Sequence, residues 1–152
     1  LDLFAGTGGV GIEALSRGAA RAVFVELDRL ALRAIGHNLQ RTGLSERARV
    51  VRGDAFKFLE RPGDEEFDYI YIAPPQYRGL WRKALEAVER SPALAAGGVA
   101  IVQIHPKEYA GEAPASLRLL DQRRYGSTLL LFYGRPAADE DAAQHDRGGL
   151  SF

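Results

Sequence analysis

Leu1-Asp2-Leu3-Phe4-Ala5-Gly6-Thr7-Gly8-Gly9-Val10-Gly11 decides how this chain is read. Five residues of buried-strand character run into a glycine-rich turn, and helix-compatible sequence follows. Such a turn brings backbone N–H groups close to a bound molecule. The spacing Gly6-x-Gly8-x-x-Gly11 fits a dinucleotide fingerprint. Asp2 resists that reading, because a carboxylate within a buried strand is costly unless something uses it.

Working outward, the pattern alternates strands and helices. Leu1–Ala5 is expected as a first strand and Gly9–Arg17 as a helix, with Val10, Ala14 and Leu15 turned to a sheet and Gly18 ending it. Ala22–Glu26 is a continuous apolar strand, as expected when both faces are covered. Asp28 is placed to cap a helix that runs to about Arg41, with Leu27, Ala31, Ala34, Ile35 and Leu39 on one side. Ala48–Arg52 is a third strand and Ala55–Leu59 a short helix. Phe67–Ala73 is a fourth strand that stops at Pro74-Pro75-Gln76-Tyr77. Arg78–Glu89 is an amphipathic helix with Leu80, Trp81, Ala84, Leu85 and Val88 inward. Gly97-Gly98 is read as a turn into a fifth strand, Val99–Ile104.

The last part differs. Ser116–Arg124 and Ser127–Tyr133 are separated by Tyr125-Gly126, which is hairpin spacing and too short for a helical crossover. Residues 136–152 read as a loose tail rich in Ala, Asp and Gly. Alternation followed by a hairpin predicts a mostly parallel α/β sheet with helices on both faces and an antiparallel end. Ligands in such sheets bind at the carboxyl ends of the strands.

Composition sets bounds. With 152 residues the chain can bury one full core. There is no cysteine, which excludes disulfides and thiolate metal sites, and His37, His105 and His145 are scattered. No apolar run approaches the roughly 20 residues that span a bilayer, and no signal peptide is visible; a cytoplasmic, monomeric protein without a membrane partner is expected. Lys+Arg and Asp+Glu both number 20, which argues against holding nucleic acid by net charge alone. The chain contains no methionine and opens inside a core strand, so a preceding N-terminal part is expected to be missing.

Four features fall at successive strand ends and therefore on one rim: the glycine turn, Glu26, Asp54 and Ala73-Pro74-Pro75-Gln76-Tyr77. Glu26 can accept hydrogen bonds from the vicinal hydroxyls of a ribose. Asp54 can accept one from an adenine amino group, and it is also placed to cap the helix after it. Asp2 then suits the ammonium of an amino acid group. A ribose, an adenine and an amino acid without phosphate describe S-adenosylmethionine. The two prolines fix an extended backbone with no N–H to donate, so the carbonyls of Ala73 and Pro74 are free to accept hydrogen bonds from another molecule, and an aromatic ring just beyond can stack on a planar base. Trp81 is assigned to the core, and His37 and His105 to surface or structural roles.

Asp2-Leu3-Phe4-Ala5-Gly6-Thr7-Gly8, Gly11-Ile12-Glu13-Ala14-Leu15-Ser16-Arg17-Gly18-Ala19, Phe24-Val25-Glu26, Asn38-Leu39 and Phe67-Asp68-Tyr69-Ile70 together resemble the class I methyltransferases, and within them the bacterial RsmD-like family. The resemblance covers residues 1–134. It implies a Rossmann-like sheet of seven strands in the order 3-2-1-4-5-7-6, a methyltransferase domain over 1–134 and a tail over 135–152. It implies methyl transfer from S-adenosyl-L-methionine to the N2 amine of a guanine in 16S ribosomal RNA, within an assembled or assembling small ribosomal subunit. Cofactor contacts are assigned to Asp2, Phe4, Ala5, Gly6, Thr7, Gly8, Glu26, Leu27, Asp54, Ala55, Phe56 and Ala73, and substrate handling to Ala73, Pro74, Pro75, Gln76 and Tyr77, with no metal. The family usually carries Asp or Asn before the two prolines and an aromatic directly after them; here these positions are Ala73 and Gln76, with Tyr77 one further on. The alternatives are an amino-directed methyltransferase acting on adenine N6 or on protein, a nicotinamide dehydrogenase, and a protein that binds the cofactor without catalysis.

Overall fold

The computed structural model describes residues 1–75, 79–111 and 114–136. In chain order the elements are α1 (Gly9–Ser16), β1 (Ala22–Glu26), α2 (Arg29–Thr42), β2 (Ala48–Arg52), α3 (Ala55–Glu60), β3 (Phe67–Ile72), α4 (Leu80–Arg90), β4 (Leu94–Ile104), β5 (Arg118–Tyr125) and β6 (Thr128–Gly134). The strands form two groups, β1-β2 and β3-β4-β6-β5. The β1/β2 and β3/β4 pairs are parallel, and β6 runs antiparallel to both β4 and β5.

The expected first strand is not a regular strand. Within residues 1–5 only Asp2 makes ladder bridges, one to Phe24 and one to Tyr71. The backbone is nevertheless bonded on both sides. On one side Asp2 N–H donates to Val23 O (2.9 Å), Val25 N–H to Asp2 O (2.9 Å) and Ala5 N–H to Val25 O (3.1 Å). On the other, Leu3 N–H donates to Tyr71 O (3.1 Å) and Tyr71 N–H to Leu1 O (2.7 Å). The segment joins the two strand groups even though it is too short and too bent to count as a strand of its own.

Helices cover both faces. Ala22 and Phe24 of β1 meet Leu15 of α1 with Ile35 and Leu39 of α2, whereas Val23 and Val25 point the other way, with Leu3, Ile70, Ile72, Ala100 and Val102, onto α3 and α4. This is strand alternation with both faces occupied. Trp81, Ala84, Leu85 and Val88 of α4 are all buried, as the 3.6-residue spacing requires.

Four expectations need correction. Val10 and Ala14 of α1 are exposed, and the face that α1 buries is Gly11 and Leu15. Gly11 lies so close to β1 that a Cβ there would overlap the Phe24 ring, so the helix rests on its glycine and tilts Val10 and Ala14 off the sheet. Leu27 precedes α2 and is 58% exposed, outside the helix's apolar stripe. Strand β4 begins at Leu94, not Val99: pairing jumps from Phe67↔Leu94 to Tyr69↔Val99, and Gly97-Gly98 is a bulge inside the strand. Gly97 takes a φ of 74°, and a Cβ on Gly98 would come within 2.8 Å of Ala95 O. The hairpin turn is Gly126-Ser127, one residue later than read, with Gly126 at φ 59°.

Two arginines close helix ends from a distance. Arg47 donates to Ala19 O (2.6 Å) and Leu15 O (3.0 Å) behind α1. Arg135, just after β6, donates to Leu94 O (2.9 Å), Glu89 O (3.1 Å) and Ser91 O (3.1 Å) behind α4. Carbonyls at a helix C-terminus lack intrahelical donors, and a cation there also complements the dipole. Replacing Arg135 with Ala is expected to cost about 2 kcal/mol, seen in urea unfolding as a lower midpoint with an unchanged slope; an unchanged midpoint would show that the three bonds contribute nothing net.

Candidate active site

The glycine turn is held from three directions. Gly6 N–H donates to Glu26 Oε1 (2.8 Å), Gly8 N–H to Ala5 O (2.8 Å), and the Asn38 side-chain amide to Thr7 O (3.1 Å). Gly6 and Gly8 sit at φ 57° and 84°, where a Cβ is strained. They face different surroundings. A Cβ on Gly8 would press on Ile35 at 3.2 Å, whereas one on Gly6 would meet nothing within 4 Å. Gly8 therefore seats the start of α1 against the core, and Gly6 borders open space.

Glu26 is the knot of the rim. Besides Gly6, its carboxylate accepts from Leu27 N–H (2.8 Å) and Asp28 N–H (2.9 Å), both on Oε2. A carboxylate offers about four acceptor positions, so one remains, on Oε1. Gly53 N–H donates to Glu26 O (3.1 Å), which brings the end of β2 beside it. There Asp54 caps α3, its Oδ1 accepting from Lys57 N–H (3.1 Å), as the sequence allowed. Ala55 is buried, and the half-buried Phe56 meets Phe4 edge to face at 6.3 Å. The exposed Leu27 follows Glu26 on the same rim. At the end of β3, Ala73 is half-buried, Pro74 buried and Pro75 exposed. Gln76 and Tyr77 lie outside the described residues.

Asp2 is 4% exposed, on the same sheet face as Phe24 and Tyr71. Burial pushes its carboxyl up to about 6, against a hydrogen bond from the Gly11 backbone, while Glu26 adds to the rise. Its Oδ2 is buried and has no hydrogen-bond partner. Tyr71, whose hydroxyl donates to Gln103 Oε1, is raised to about 12 by burial and by Asp2.

The structure thus brings the glycine turn, Glu26, Leu27, Asp54–Phe56 and Ala73–Pro75 to the carboxyl ends of the strands. Asp2 lies beneath the turn, its carboxylate accepting from the Gly11 backbone. It also borders a cavity of about 650 Å³ on the α1 face, between Val10 and Ala14 of α1 and Ala22, Phe67, Tyr71 and Ile101 of the sheet. That cavity opens toward the amino ends of β1 and β3, and no other expected site residue lines it. His37 is exposed, and His105 Nδ1 caps a single 3-10 turn by accepting from Lys107 N–H (3.0 Å). Among the described residues no cluster of carboxylates and histidines is arranged to hold a metal.

Sequence reading missed two supports. Asn38 lies between Ile35 and Leu39 on the inner stripe of α2, and a polar residue on a buried stripe was a usable signal. The anchoring of Gly6 by Glu26 had none, since nothing in local spacing says which N–H a strand-end carboxylate will take.

Ribosomal RNA small subunit methyltransferase D of Escherichia coli (strain K12) is 33% identical over 143 residues, which are 94% of this chain and 71% of that protein. The solved structure of yhhF from Escherichia coli superposes with a TM-score of 0.78 at 32% identity, over 90% of this chain and 74% of that one. A conserved hypothetical protein from Streptococcus pyogenes gives a TM-score of 0.81 at 27% identity, over 89% and 84%. The fold is that of an α/β methyltransferase with a mixed sheet. The family model described as Conserved hypothetical protein 95 matches residues 1–134, and this chain belongs to that family, the RsmD family of methyltransferases.

Proposed function

We propose that this chain transfers the methyl group of S-adenosyl-L-methionine to the N2 amine of a guanine in small-subunit ribosomal RNA. The observation that carries the reading is the convergence of the glycine turn, Glu26, Asp54 and Pro74-Pro75 on one rim, in a chain related over most of its length to small-subunit rRNA methyltransferase D. The residues fit the cofactor. Gly6 borders open space, and Asp2 keeps a buried carboxylate oxygen without a partner. Asp2 would meet the ammonium of the amino acid part, directly or through water. Glu26 would take a ribose hydroxyl on its remaining acceptor position. Asp54 would accept from the adenine amine, with Leu27, Ala55 and Phe56 about the ring, and Phe4, Ala5, Thr7 and Gly8 would complete the wall.

When bound, S-adenosylmethionine supplies an electrophilic methyl group on a sulfonium. The chain's own contribution is positioning, which in such reactions supplies roughly 7–11 kcal/mol. The Ala73 and Pro74 carbonyls accept hydrogen bonds from the guanine amine, favour a more pyramidal nitrogen and aim its lone pair. The base must be unpaired or flipped out to reach them. Gln76 or Tyr77 would supply the polar contact that the methyl side chain of Ala73 cannot make.

In this reading residues 1–5 act as the central strand of seven, ordered 3-2-1-4-5-7-6. Residues 1–134 are the catalytic domain, with 135–152 a tail. The protein works as a monomer in the cytoplasm, on a ribosomal particle that adds contacts its neutral charge does not provide. Among the described residues no helix is long and apolar enough to cross a membrane.

Methyl transfer from labelled cofactor to unmethylated small subunits, followed by mapping of the base, tests the reading. One guanine labelled at N2 is expected, together with a melting temperature raised by S-adenosylhomocysteine and not by NAD; stabilisation by NAD alone would sink it. Gln76→Ala and Tyr77→Phe are each assayed on the same subunits. A fall in kcat of roughly tenfold or more in at least one is expected, and unchanged turnover in both would remove them from the site. Because Asp2 titrates at about 6 and must be ionised to hold an ammonium, affinity for S-adenosylhomocysteine is expected to reach a plateau above that pH. Below it, affinity should weaken about tenfold per unit. Isothermal titration from pH 5 to 8 reads this, and Asp2→Asn should flatten the profile at the weak end; a slope surviving in Asp2→Asn would assign it to another group.

A further inference from the structure

The β5–β6 hairpin ends on the same rim as the candidate active site. Strand β4 runs parallel to β3, with Ile72 opposite Val102, so the Ala73-Pro74 end of β3 and the Ile104 end of β4 are level. Strand β6 is antiparallel to β4, with Leu129 opposite Ile104 and Gly134 opposite Val99. The turn that joins Tyr125 to Thr128 therefore projects past the carboxyl end of β4. At about 4.8 Å per strand, the tip stands about 15 Å along the sheet from the proline corner. Between them lies the short 3-10 turn that carries the exposed Lys107.

The tip bears Arg123, Arg124 and Tyr125, all exposed, with Tyr125 at 60%. Arg123 faces the same side of the ribbon as Tyr125, and Arg124 faces the other, beside Leu129. Both guanidiniums are held. Arg123 Nε donates to Asp121 Oδ2 (3.0 Å) and its guanidinium lies over the Phe132 ring at 5.4 Å. Arg124 Nε donates to Gly126 O (3.2 Å). The residues of β5 from Asp121 to Tyr125 bury no side chain, so packing does not account for two arginines and a tyrosine at this end.

We propose that this hairpin tip is a docking arm for the RNA strand that carries the target guanine. Arg123 and Arg124 contact its phosphates, and Tyr125 stacks on an unpaired base a few nucleotides from the one in the active site. Pre-positioned guanidiniums beside an aromatic face are the combination that single-stranded nucleic acid binds. Local placement also reconciles an RNA substrate with a chain of zero net charge: cations at one end of one rim steer a strand without a basic protein. The inference rests on the proposed RNA-methyltransferase reading and adds to it the surface that sets RNA affinity.

The test is steady-state methyl transfer to unmethylated small subunits at several KCl concentrations, for the wild-type chain and for Arg123→Gln/Arg124→Gln, Arg123→Lys/Arg124→Lys and Tyr125→Ala. The glutamine pair is expected to raise KM for the subunit at least fivefold, to leave kcat within twofold, and to make the salt slope shallower by about 1.4, the value for two phosphate contacts on a single strand. The lysine pair should keep the wild-type slope, and Tyr125→Ala should raise KM with the slope unchanged. Affinity for S-adenosylhomocysteine and the melting temperature should stay at wild-type values in all three. The proposal is overturned if the glutamine pair keeps wild-type KM and slope, or if the lysine pair loses as much slope as the glutamine pair. It is also overturned if the glutamine pair instead self-associates at unchanged KM, for then the charges only guard an edge strand. A wild-type chain that binds S-adenosylhomocysteine but transfers no methyl to small subunits overturns the RNA-methyltransferase reading itself, and this inference falls with it.

Discussion

Val25 and Tyr71 donate from opposite sides into the same five-residue segment, Leu1–Ala5. Among the described residues no other piece of backbone touches both strand groups by ladder pairing. Because the segment is bonded on both edges, its direction, its register and the point where it turns at Gly6 are fixed together. The rim inherits that precision: Glu26 can reach the Gly6 N–H only because β1 and residues 1–5 run parallel and end level. Asp2 is the cost of the arrangement. A residue in this place would ordinarily be apolar, and here a carboxylate is kept in a setting that pushes its pKa up to about 6.

Glu26 joins architecture and chemistry in one side chain. Its three accepted N–H bonds tie the glycine turn, the residues before α2 and the end of β1 into one rigid corner. A ligand hydroxyl that arrives there meets an acceptor already oriented by the fold, so little ordering is left for binding to impose. Asp54 repeats the logic more simply, with one oxygen fixed by its helix cap. Both residues are legible as structural caps and as ligand acceptors, and the geometry gives no reason to choose between the two roles.

Much of this was legible in the sequence. The limits of β1 and β2 fall where each run meets its punctuation: β1 is apolar and buried on both faces, whereas β2 is half-exposed and is bounded by Arg47 before it and Gly53 after it. Asp28 was read as a cap from local spacing and is one. What failed depended on distant partners. Periodicity placed Val10 and Ala14 inward, but α1 rests on Gly11, where only the ring of Phe24 decides how close the helix may come. Gly97-Gly98 looked like a turn because a bulge is defined by the strand beside it, and Phe67 is thirty residues away. Arg135 fell in a stretch of tail-like composition, and its three carbonyl partners lie more than forty residues back in the chain.

The place of β6 has a consequence for how the protein is made. Among the described residues it is the last strand to leave the ribosome, yet it sits inside the sheet, between β4 and β5. Until residues 128–134 emerge, β4 presents an unpaired backbone edge from Val99 to Ile104 to whatever it meets, flanked by the apolar side chains of Ala100, Val102 and Ile104. Closure requires both the pairing of β6 with β4 and the bonds of Arg135 behind α4. A messenger cut short within this final stretch would yield not a smaller working domain but a nascent chain with an adhesive edge, a client for chaperones and proteases from the moment of release.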